Sequence, residues 1–486
     1  MSEIRIDPEK IFYEHPFARS ILTKLEAAGF EAVLIGGIVR DAVRDQIDPE
    51  YEFDPIEVDV ATSARPEEIK KVFKGYTLVE VGEAFGVLKI ISDDGIPYEV
   101  ATYRVESEYD GRWPGKVELV RNLEGDVKRR DLTVNGLAAD GHGRVIDFVG
   151  GLHDLKEKNI RTIGEPDERF REDFLRILRA IRLTCALDGK LLPEVSAAIR
   201  RNREGLLQIS SERIRDELFR LLGTQHSTRG IRLMDEHGVL ELILPELSNC
   251  KGVPQPEKYH PEGDVYTHTL LALEVADRIL RGPDSPLVKF SLLLHDVGKP
   301  VALQNNHGEH AGGHEVLGER MAIEVGKRLR LSNDEIEMLR FTVREHLRIA
   351  KLPEMGVGKQ VKYIKSTERA AEPISDLHRR FTLFAQLLQL MVCDCEASAH
   401  KSSGWLPVVK TFVERLPQIQ HLDELERARK LLDGHDLLAM GMKPGPPVKR
   451  VLEAVYEKIH SGQIKSRAAA LEAARVLVQA ELSSPQ

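Results

Sequence analysis

A glycine pair between an apolar run and an amphipathic run constrains this chain more than any other feature. The run Ala32 to Ile35 predicts a buried strand, and Gly36-Gly37 separates it from a helical pattern that begins at Ile38. Glycine lets backbone N–H groups approach an anion, and a helix N-terminus favours negative charge. This order of elements predicts a phosphate-binding turn, although a glycine pair alone is more often a simple turn.

Two carboxylates, Glu57 and Asp59, follow in a strand-like run. Strand side chains alternate between faces, so both are expected to point the same way. Neighbouring carboxylates repel unless a cation lies between them, and oxygen ligands suit Mg²⁺. A phosphate turn beside such a pair is what nucleotidyl transfer to a hydroxyl needs, because one ion activates the attacking oxygen and another stabilises the leaving one. The alternative for an isolated E-x-D is a solvated strand surface.

Composition excludes several classes of protein. The 486 residues predict several domains, and the formal charge of −9 argues against a protein that coats nucleic acid. The four cysteines form no C-x-x-C pair and suggest a reducing cytoplasm. No signal pattern and no apolar run of membrane-spanning length is present, so no membrane partner is expected.

Periodicity predicts an α+β chain with a mixed head and a helical remainder. Helical spacing covers Phe17 to Ala28, strand patterns fill Tyr76 to Arg104, and Asp93-Asp94-Gly95 reads as a hairpin turn. Strand signals end after Gly151. The predicted helices beyond it include Phe170 to Leu187, Ser211 to Leu222 with a serine cap at 210 or 211, and one that begins near Thr267; linkers are expected at Pro254 to Pro256 and Ser402 to Gly404.

Six motifs occur in one order along the first half of the chain: GGIVRD with EVDVAT, EVATYRVESEYDGRWP, RRDLTVNGLAAD, DFVGGLHDL, REDFLRILRAIRL and SSERIRDEL. This order resembles the class II tRNA nucleotidyltransferase and bacterial poly(A) polymerase family, which has a polymerase-β-like head. One difference is Glu57, since the family usually has aspartate there. The segment from Asp45 to Ile56 is also longer than expected, and Glu99 is a possible third carboxylate or a group that orients Arg104.

The resemblance implies a set of site residues. Glu57 and Asp59 would be catalytic and would hold Mg²⁺. The nucleotide would contact Gly36, Gly37, Arg40, Asp41, Arg112, Arg130, Asp131, Asn135, Asp173, Arg176 and Arg179. Arg130 and Asp131 would lie near the ribose and triphosphate, although a structural Arg–Asp pair is the alternative. Arg112, in the DGRWP loop, would help to reposition the pocket between C and A addition.

Base selection can be argued from chemistry. Asp173 and Arg176 are three residues apart, so on a helix they would share one face. A carboxylate accepts the amino proton of cytosine or adenine, and a guanidinium donates to the neighbouring ring nitrogen. Guanine and uracil present the reverse order and would leave unpaired groups. The alternative for this run is a surface salt bridge.

The implied acceptor is the 3′ end of a tRNA. Arg200, Arg201 and Arg213 follow the head and could bind phosphates. Acidic residues alternate with these arginines, so a solvated surface of mixed charge is an equal alternative for each of them.

A second constellation of His268, His295, Asp296, His314, His346 and Asp394 resembles the HD phosphohydrolase superfamily. Such ligands suit divalent ions such as Mn²⁺, Ni²⁺ or Mg²⁺, and a bound ion could activate water against a phosphoester. Single histidines on apolar helices are usually structural, but the His295-Asp296 pair is more specific.

The sequence therefore predicts four parts: a nucleotidyltransferase head at residues 1–155, a helical neck at 156–240, an HD domain at 241–400 and a helical tail at 401–486. The predicted activity is addition of C and A to tRNA 3′ ends from CTP and ATP. Alternatives are a poly(A) polymerase, an enzyme that adds only CC or only A, or an HD phosphohydrolase whose head binds RNA. The sequence does not decide the oligomeric state.

Overall fold

The structure is a computed structural model that describes residues 4–51, 53–55, 57–80, 86–110, 113–258, 260–365, 377–398, 403–460, 463–464 and 466–483. The chain divides into two compact units. The first contains residues 1–343 and 397–400, and the second contains residues 344–396 and 401–486. The predicted division into four parts stays a prediction.

The head is built on a mixed sheet, as predicted. Its strands are β1 Ala32–Ile35, β2 Asp59–Thr62, β3 Thr77–Glu80, β4 Val87–Ile91, β5 Pro97–Thr102, β6 Arg104–Asp110, β7 Trp113–Leu119, β8 Leu137–Ala139 and β9 Val145–Asp147. Among the described residues, seven of them form one sheet in the order β3-β4-β5-β2-β1-β8-β9, and β6 pairs with β7 as a separate hairpin. Within that sheet β2 and β5 run parallel, with Asp59 opposite Glu99.

In the described part of the head, the helices are α1 Glu9–Glu14, α2 Pro16–Ala27, α3 Gly37–Ile47, α4 Pro66–Val72, α5 Leu123–Lys128 and α6 Gly151–Lys156, with a short 3₁₀ helix at Thr133–Asn135. The central strand β1 is apolar throughout because both of its faces are covered. Leu34 packs into one hydrophobic core and Val33 and Ile35 pack into another. Its end, where Gly36 follows, is therefore held rigidly.

The start of β2 corrects one expectation about the carboxylates. The strand begins at Asp59, so Glu57 precedes it and is not part of the ladder. The predicted hairpin is confirmed, since β4 and β5 are antiparallel and Gly95 between them has φ +84°.

The neck comprises β10 Asn159–Ile160, α7 Pro166–Glu172, α8 Leu175–Ala186, β11 Lys190–Leu191, α9 Pro193–Asn202, a 3₁₀ helix at Arg203–Gln208, α10 Ser211–Leu222, α11 Ser227–Glu236, α12 Leu240–Ile243 and α13 Pro245–Ser248. Strand signals do not end at Gly151, because β10 and β11 pair in parallel. The cap position of α10 is Ser210, although its side chain makes no capping hydrogen bond.

The predicted helix from Phe170 to Leu187 is wrong as a single element. It is interrupted at Asp173, whose backbone is extended with φ −156° and ψ 102°. The carboxylate of Asp173 accepts the Leu175 N–H at 3.2 Å, an interaction that competes with continuous helix. Phe174 then packs so closely on Gly205 that a Cβ there would lie 2.2 Å from its ring.

The helices that follow are α14 Val265–Ile279, α15 Ser285–Leu294, α16 Lys299–Asn305, α17 His314–Arg328 and α18 Asn333–Glu345. Buried residues of these helices, as far as Val343, belong to the same hydrophobic core as buried residues of the neck. In sequence order, that core starts at Phe170.

The second unit contains a 3₁₀ helix at Ile349–Glu354 and the helices α19 Val357–Lys365, α20 Leu377–Ala397, α21 Trp405–Leu431, α22 Gly434–Ala439, α23 Pro446–His460 and α24 Arg467–Ser483. Its C-terminal helices have their own core around Leu437, Val455 and Ala474. The expected linker at Ser402 to Gly404 lies partly outside the described residues. None of the helices in the described part of the chain has the length and apolar character needed to cross a membrane.

Candidate active site and metal centre

A cavity of about 620 Å³ lies where β1 ends. It collects residues that are distant in sequence: Gly36, Gly37, Ile38, Arg40, Asp41, Tyr51, Asp54, Glu57, Asp59, Arg130, Asp131, Asn135, Arg179, Arg182 and Arg220. The structure therefore brings together the glycine turn, the carboxylate pair and most of the predicted nucleotide-binding residues.

The glycine turn forms one wall of this cavity. Gly36 has φ +82°, a conformation that residues with a side chain rarely adopt, and it occupies the cap position of α3. Its N–H is bonded to the Leu137 carbonyl at 3.0 Å, which ties the turn to β8. The N-terminus of α3 thus lines the cavity together with the guanidinium groups of Arg130 and Arg40, an arrangement that suits a phosphate.

The carboxylates form the second wall. Asp59 lines the cavity, yet its pKa is raised to about 6. Desolvation by the surrounding protein is the main cause, repulsion by Glu99 and Glu57 adds to it, and attraction to Arg130 opposes it. Glu57 is exposed and lines the same cavity. A carboxylate whose charge is disfavoured by two other carboxylates is a natural site for a cation. Glu99 is partly neutralised by Lys89 at 3.1 Å, and Arg104 pairs with Glu106 and not with Glu99.

Asp131 organises the polar network behind the cavity. It is buried, and it accepts hydrogen bonds from Arg179 at 2.8 Å, from the Leu132 N–H at 2.7 Å and from Asn135 at 3.3 Å. Burial would raise its pKa, but the ion pair with Arg179 outweighs burial and the pKa of Asp131 is lowered. Asp131 is thus an anion whose hydrogen bonds hold Arg179 and Asn135 in place.

Arg40 belongs to the same network. Its guanidinium binds both carboxylate oxygens of Asp41, at 2.8 and 2.7 Å, and donates to Asn135 at 2.6 Å. The predicted residues Arg40, Asp41, Asn135 and Asp131 are therefore one continuous hydrogen-bonded chain, which holds their orientation before any ligand binds.

The two arginines of the RRD motif have different surroundings. Arg129 is held by Asp126 at 2.7 Å and by Glu106 at 3.2 Å. Arg130 lines the cavity and makes a longer contact to Asp126, at 3.2 Å, while its buried Nε finds no partner among the described residues. Arg130 is the arginine of this motif that can bind a phosphate.

The predicted base-reading pair is not assembled in this structure. Because the helix breaks at Asp173, this residue and Arg176 do not share a helical face. Asp173 binds Arg213 at 2.5 and 3.1 Å, whereas Arg176 pairs with Glu172. Neither Asp173 nor Arg176 is among the described residues that line the cavity.

The arginines predicted to bind RNA each have a carboxylate partner. Arg200 pairs with Glu236 at 2.7 Å and Arg201 pairs with Asp167 at 2.5 Å, both at the surface. Exposed pairs of this kind are weak, so a phosphate can replace the carboxylate. Arg112 lies outside the described residues.

Sequence reasoning missed several lining residues. Arg182 lies one turn beyond Arg179 on α8 and binds Glu217 at 2.7 Å, and Arg220 joins it from α10. The three-residue spacing from Arg176 to Arg182 could have indicated the first of these. Tyr51 and Asp54 come from the long segment between α3 and β2, where Tyr51 stacks under Arg44 at 4.1 Å.

Of the predicted HD ligands, His268, His295, Asp296 and His314 are buried and belong to the first unit. Ligand atoms of His268, His295 and Asp296 lie within 4.8 Å of one another. The Nε2 atoms of His295 and His314 each lie 3.2 Å from an oxygen of Asp296, and Lys299 approaches the same carboxylate at 2.6 Å. Burial opposes ionisation, but His295 and Lys299 hold the pKa of Asp296 well below its usual range.

The orientation of these rings suits metal binding. The Nδ1 atoms of His295 and His314 lie 2.7 and 2.9 Å from the carbonyls of Leu292 and Ala311, so each ring can donate there and keep Nε2 for an ion. Imidazole nitrogens with a carboxylate fit a divalent transition metal. The other two predicted ligands, His346 and Asp394, belong to the second unit and stay predictions.

Three family models match segments of the chain. The family described as the poly A polymerase head domain matches residues 32–161, the probable RNA and SrmB-binding site of polymerase A matches residues 190–251, and the HD domain matches residues 265–381. Together these segments span more than half of the chain. The fold and site thus define a protein with a polymerase-β-like nucleotidyltransferase head and HD helices.

Relatives specify the family further. A CCA-adding enzyme of Ligilactobacillus salivarius is 44% identical over 226 residues, which is 46% of this chain and 53% of that protein. One from Bacillus licheniformis is 41% identical over 235 residues, 48% of this chain and 56% of the relative. The crystal structure of the Bacillus stearothermophilus CCA-adding enzyme in complex with CTP has a TM-score of 0.55 and 25% identity, and covers 96% of this chain and 99% of that one.

Segment by segment, the chain is thus similar to nucleotidyltransferases with a poly A polymerase head, to the RNA-binding segment that accompanies that head, and to HD domains. Its alignment spans about half the length of these curated relatives. A Thermotoga maritima CCA-adding enzyme complexed with tRNA, at 18% identity and a TM-score of 0.51, shares the fold over 99% of this chain.

Proposed function

We propose that this protein adds C and A nucleotides to the 3′ ends of tRNA from CTP and ATP. The observation that carries the proposal is the cavity that joins the glycine turn, the Glu57–Asp59 pair and Arg130 in one space. The relatives named as CCA-adding enzymes, one of them solved with CTP and another with tRNA, support the choice of substrates.

Glu57 and Asp59 are the groups that would hold Mg²⁺. A bound ion supplies positive charge for the attacking 3′ oxygen and for the leaving pyrophosphate. The other residues position the nucleotide: the start of α3, beyond Gly36, presents backbone N–H groups to the triphosphate, and Arg130 binds its oxygens. Asp131 fixes Arg179 and Asn135, and Asn135 holds Arg40, so the phosphate-facing cations are ordered in advance.

Base selection by Asp173 and Arg176 is part of the same proposal. Asp173 now pairs with Arg213, and Arg176 now pairs with Glu172. On nucleotide binding, the amino group of the base would replace Arg213 as the partner of Asp173, and the ring nitrogen of the base would replace Glu172 as the partner of Arg176. The hydrogen-bonding order then admits C and A and rejects G and U. Arg213 would be released toward the acceptor, where Arg200 and Arg201 bind phosphates. A cytoplasmic location completes the proposal.

The test uses purified protein, Mg²⁺ and tRNA transcripts that end before the CCA, after the first C, after the second C or after the A. CTP and ATP are supplied alone and together, and products are resolved at single-nucleotide length. The expected result is extension that stops at CCA. A stop at CC, or extension by A only, would identify a partial enzyme, and long A tails on unrelated RNA would identify a poly(A) polymerase.

The buried histidine cluster supports a second candidate function, hydrolysis of a phosphoester by the HD helices. His268, His295 and Asp296 supply a suitable donor set. Release of phosphate, or opening of a 2′,3′-cyclic phosphate, in Ni²⁺ or Mn²⁺ would support it. If these products form and no nucleotide is added under any condition, the nucleotidyltransferase proposal is wrong.

A further inference from the structure

We propose that Glu262 is a positioning residue for the HD metal centre: it holds the imidazole of His268 so that Nε2 is presented to the ion. The proposal rests on the metal centre assigned above to His268, His295 and Asp296. Neither Glu262 nor its neighbour His260 belongs to the ligand set that the family resemblance implies.

Glu262 contacts two histidines through one oxygen. Its Oε1 lies 2.7 Å from Nδ1 of His268 and 2.9 Å from Nδ1 of His260. The Glu262 side chain is only 4% exposed, and that of His268 only 1%. A buried carboxylate with two imidazoles on it is costly to maintain unless both rings donate to it.

The distances indicate hydrogen bonds. Separations of 2.7 and 2.9 Å are those of N–H···O bonds between a ring nitrogen and a carboxylate. If Nδ1 of His268 donates to Glu262, Nε2 is the nitrogen that remains for an ion together with His295 and Asp296. A carboxylate behind a metal-binding histidine fixes the ring and increases its basicity. His295 and His314 obtain the same orientation from backbone carbonyls.

Glu262 is itself placed by the start of α14. Asp264 caps this helix by accepting the Thr267 N–H at 2.7 Å, and the His268 N–H bonds to the Asp264 carbonyl at 3.0 Å. Gly263, with φ +127°, forms the turn between the cap and Glu262. The carboxylate therefore belongs to a local structure that forms with the helix, six residues before the histidine it orients.

The test measures divalent-ion binding to the full chain. Co²⁺ titration followed by ligand-field absorption, with bound metal counted by mass spectrometry, is carried out in the Asp59→Asn background so that ions in the head do not contribute. Glu262→Ala is expected to weaken binding about tenfold to a hundredfold without changing the number of bound ions. Glu262→Gln keeps an acceptor oxygen and should recover part of this loss, and His260→Phe should lose less than Glu262→Ala.

Controls separate this role from a general effect on folding. Glu274→Ala changes an exposed carboxylate on the same helix and should leave Co²⁺ affinity unchanged. In ¹⁵N-histidine-labelled protein, the resonance that His268→Gln removes should show protonated Nδ1 in the parent and lose that state in Glu262→Ala.

Each outcome decides between explanations. If the parent and His295→Ala bind Co²⁺ equally, the metal centre itself is wrong. If the parent binds through His295 and Glu262→Ala binds as tightly, the positioning role is overturned. If Glu262→Ala loses one whole ion and binds the rest unchanged, Glu262 is a ligand of a separate ion and the proposal is overturned in that form.

Discussion

The head cavity and the histidine cluster lie in the same unit. Each contains carboxylates suited to a cation, but the protein disfavours the charge of Asp59 in the head and stabilises the charge of Asp296 in the cluster. In the head, the carboxylates line an open cavity, and desolvation by the surrounding protein, together with repulsion by Glu99 and Glu57, raises the pKa of Asp59 to about 6. In the cluster, Asp296 is buried among His295, His314 and Lys299, and its pKa is lowered.

The difference indicates how each site would use its ion. The head site stays incomplete without a cation, which fits Mg²⁺ that arrives with substrate phosphates. The cluster already directs its rings through hydrogen bonds to Leu292 and Ala311, which fits an ion that stays with the protein. Loss of one site should therefore leave the other intact.

Replacement of Asp59 by asparagine gives the largest expected effect. Removal of one of the two proposed cation ligands should reduce nucleotide addition by at least about a hundredfold, because charge stabilisation in the transition state is lost. Primer extension measures this effect. Bound Co²⁺ in the HD centre should not change, and a parallel loss there would show that the two regions are not independent.

His295→Ala tests whether the head cavity is independent of the HD metal centre. It should lower Co²⁺ affinity of the HD centre by at least about tenfold, since a direct ligand is removed. CCA addition should stay within about threefold of the parent, as expected for a distant independent site. A strong loss of addition with unchanged circular dichroism would contradict the comparison.

Gly36→Ala sharpens the comparison at the phosphate turn. Alanine at φ +82° and ψ −132° costs about 1–3 kcal/mol of backbone strain, and the added Cβ would meet Arg130 at 3.5 Å. Nucleotide addition should fall about tenfold or more, with a higher KM for CTP.

Gly95→Ala is the matched control for this variant. Gly95 also has a positive φ, +84°, with nothing within 4 Å of the new Cβ, so alanine there strains the backbone at a hairpin that does not line the cavity. Denaturant unfolding should show a loss of stability for both variants, but Gly95→Ala should keep the parent KM. Equal kinetic losses would mean that strain, and not the turn, explains the first result.

The smallest expected effect is on stability against pH. Because the pKa of Asp59 is raised in the folded protein to about 6, from about 3.8 for an ordinary aspartate, its charge destabilises the metal-free protein increasingly as pH rises through that window. Asp59→Asn should therefore increase the free energy of unfolding at pH 7.5, by no more than about 1 kcal/mol because the side chain is accessible. At pH 3.5 the two proteins should unfold alike, and saturating Mg²⁺ should reverse the order at pH 7.5.

Much of the fold follows from local pattern. The apolar run of β1, the positive-φ position of Gly36 and the hairpin at Gly95 were each predictable, since each depends on a few adjacent residues. The α+β head and the helical remainder were predicted for the same reason, and both are confirmed.

Other features depend on residues far apart in sequence. The break at Asp173 arises because Arg213, forty residues later, holds the carboxylate, and because Phe174 packs on Gly205. Helical periodicity from Phe170 onward contains no sign of either contact. Arg220 likewise enters the cavity only because α10 packs beside α8.

By itself, the sequence determined the chemical types available at each site: glycines before a helix, two carboxylates two residues apart, and histidines beside an aspartate. These depend on residue identity and short spacing, which a chain carries before it folds. Tertiary structure alone decided which charges meet. It paired Asp131 with Arg179 and Asp173 with Arg213, and it placed Glu262 on His268, because the energy of a charge depends on the partners and the water that remain around it after packing.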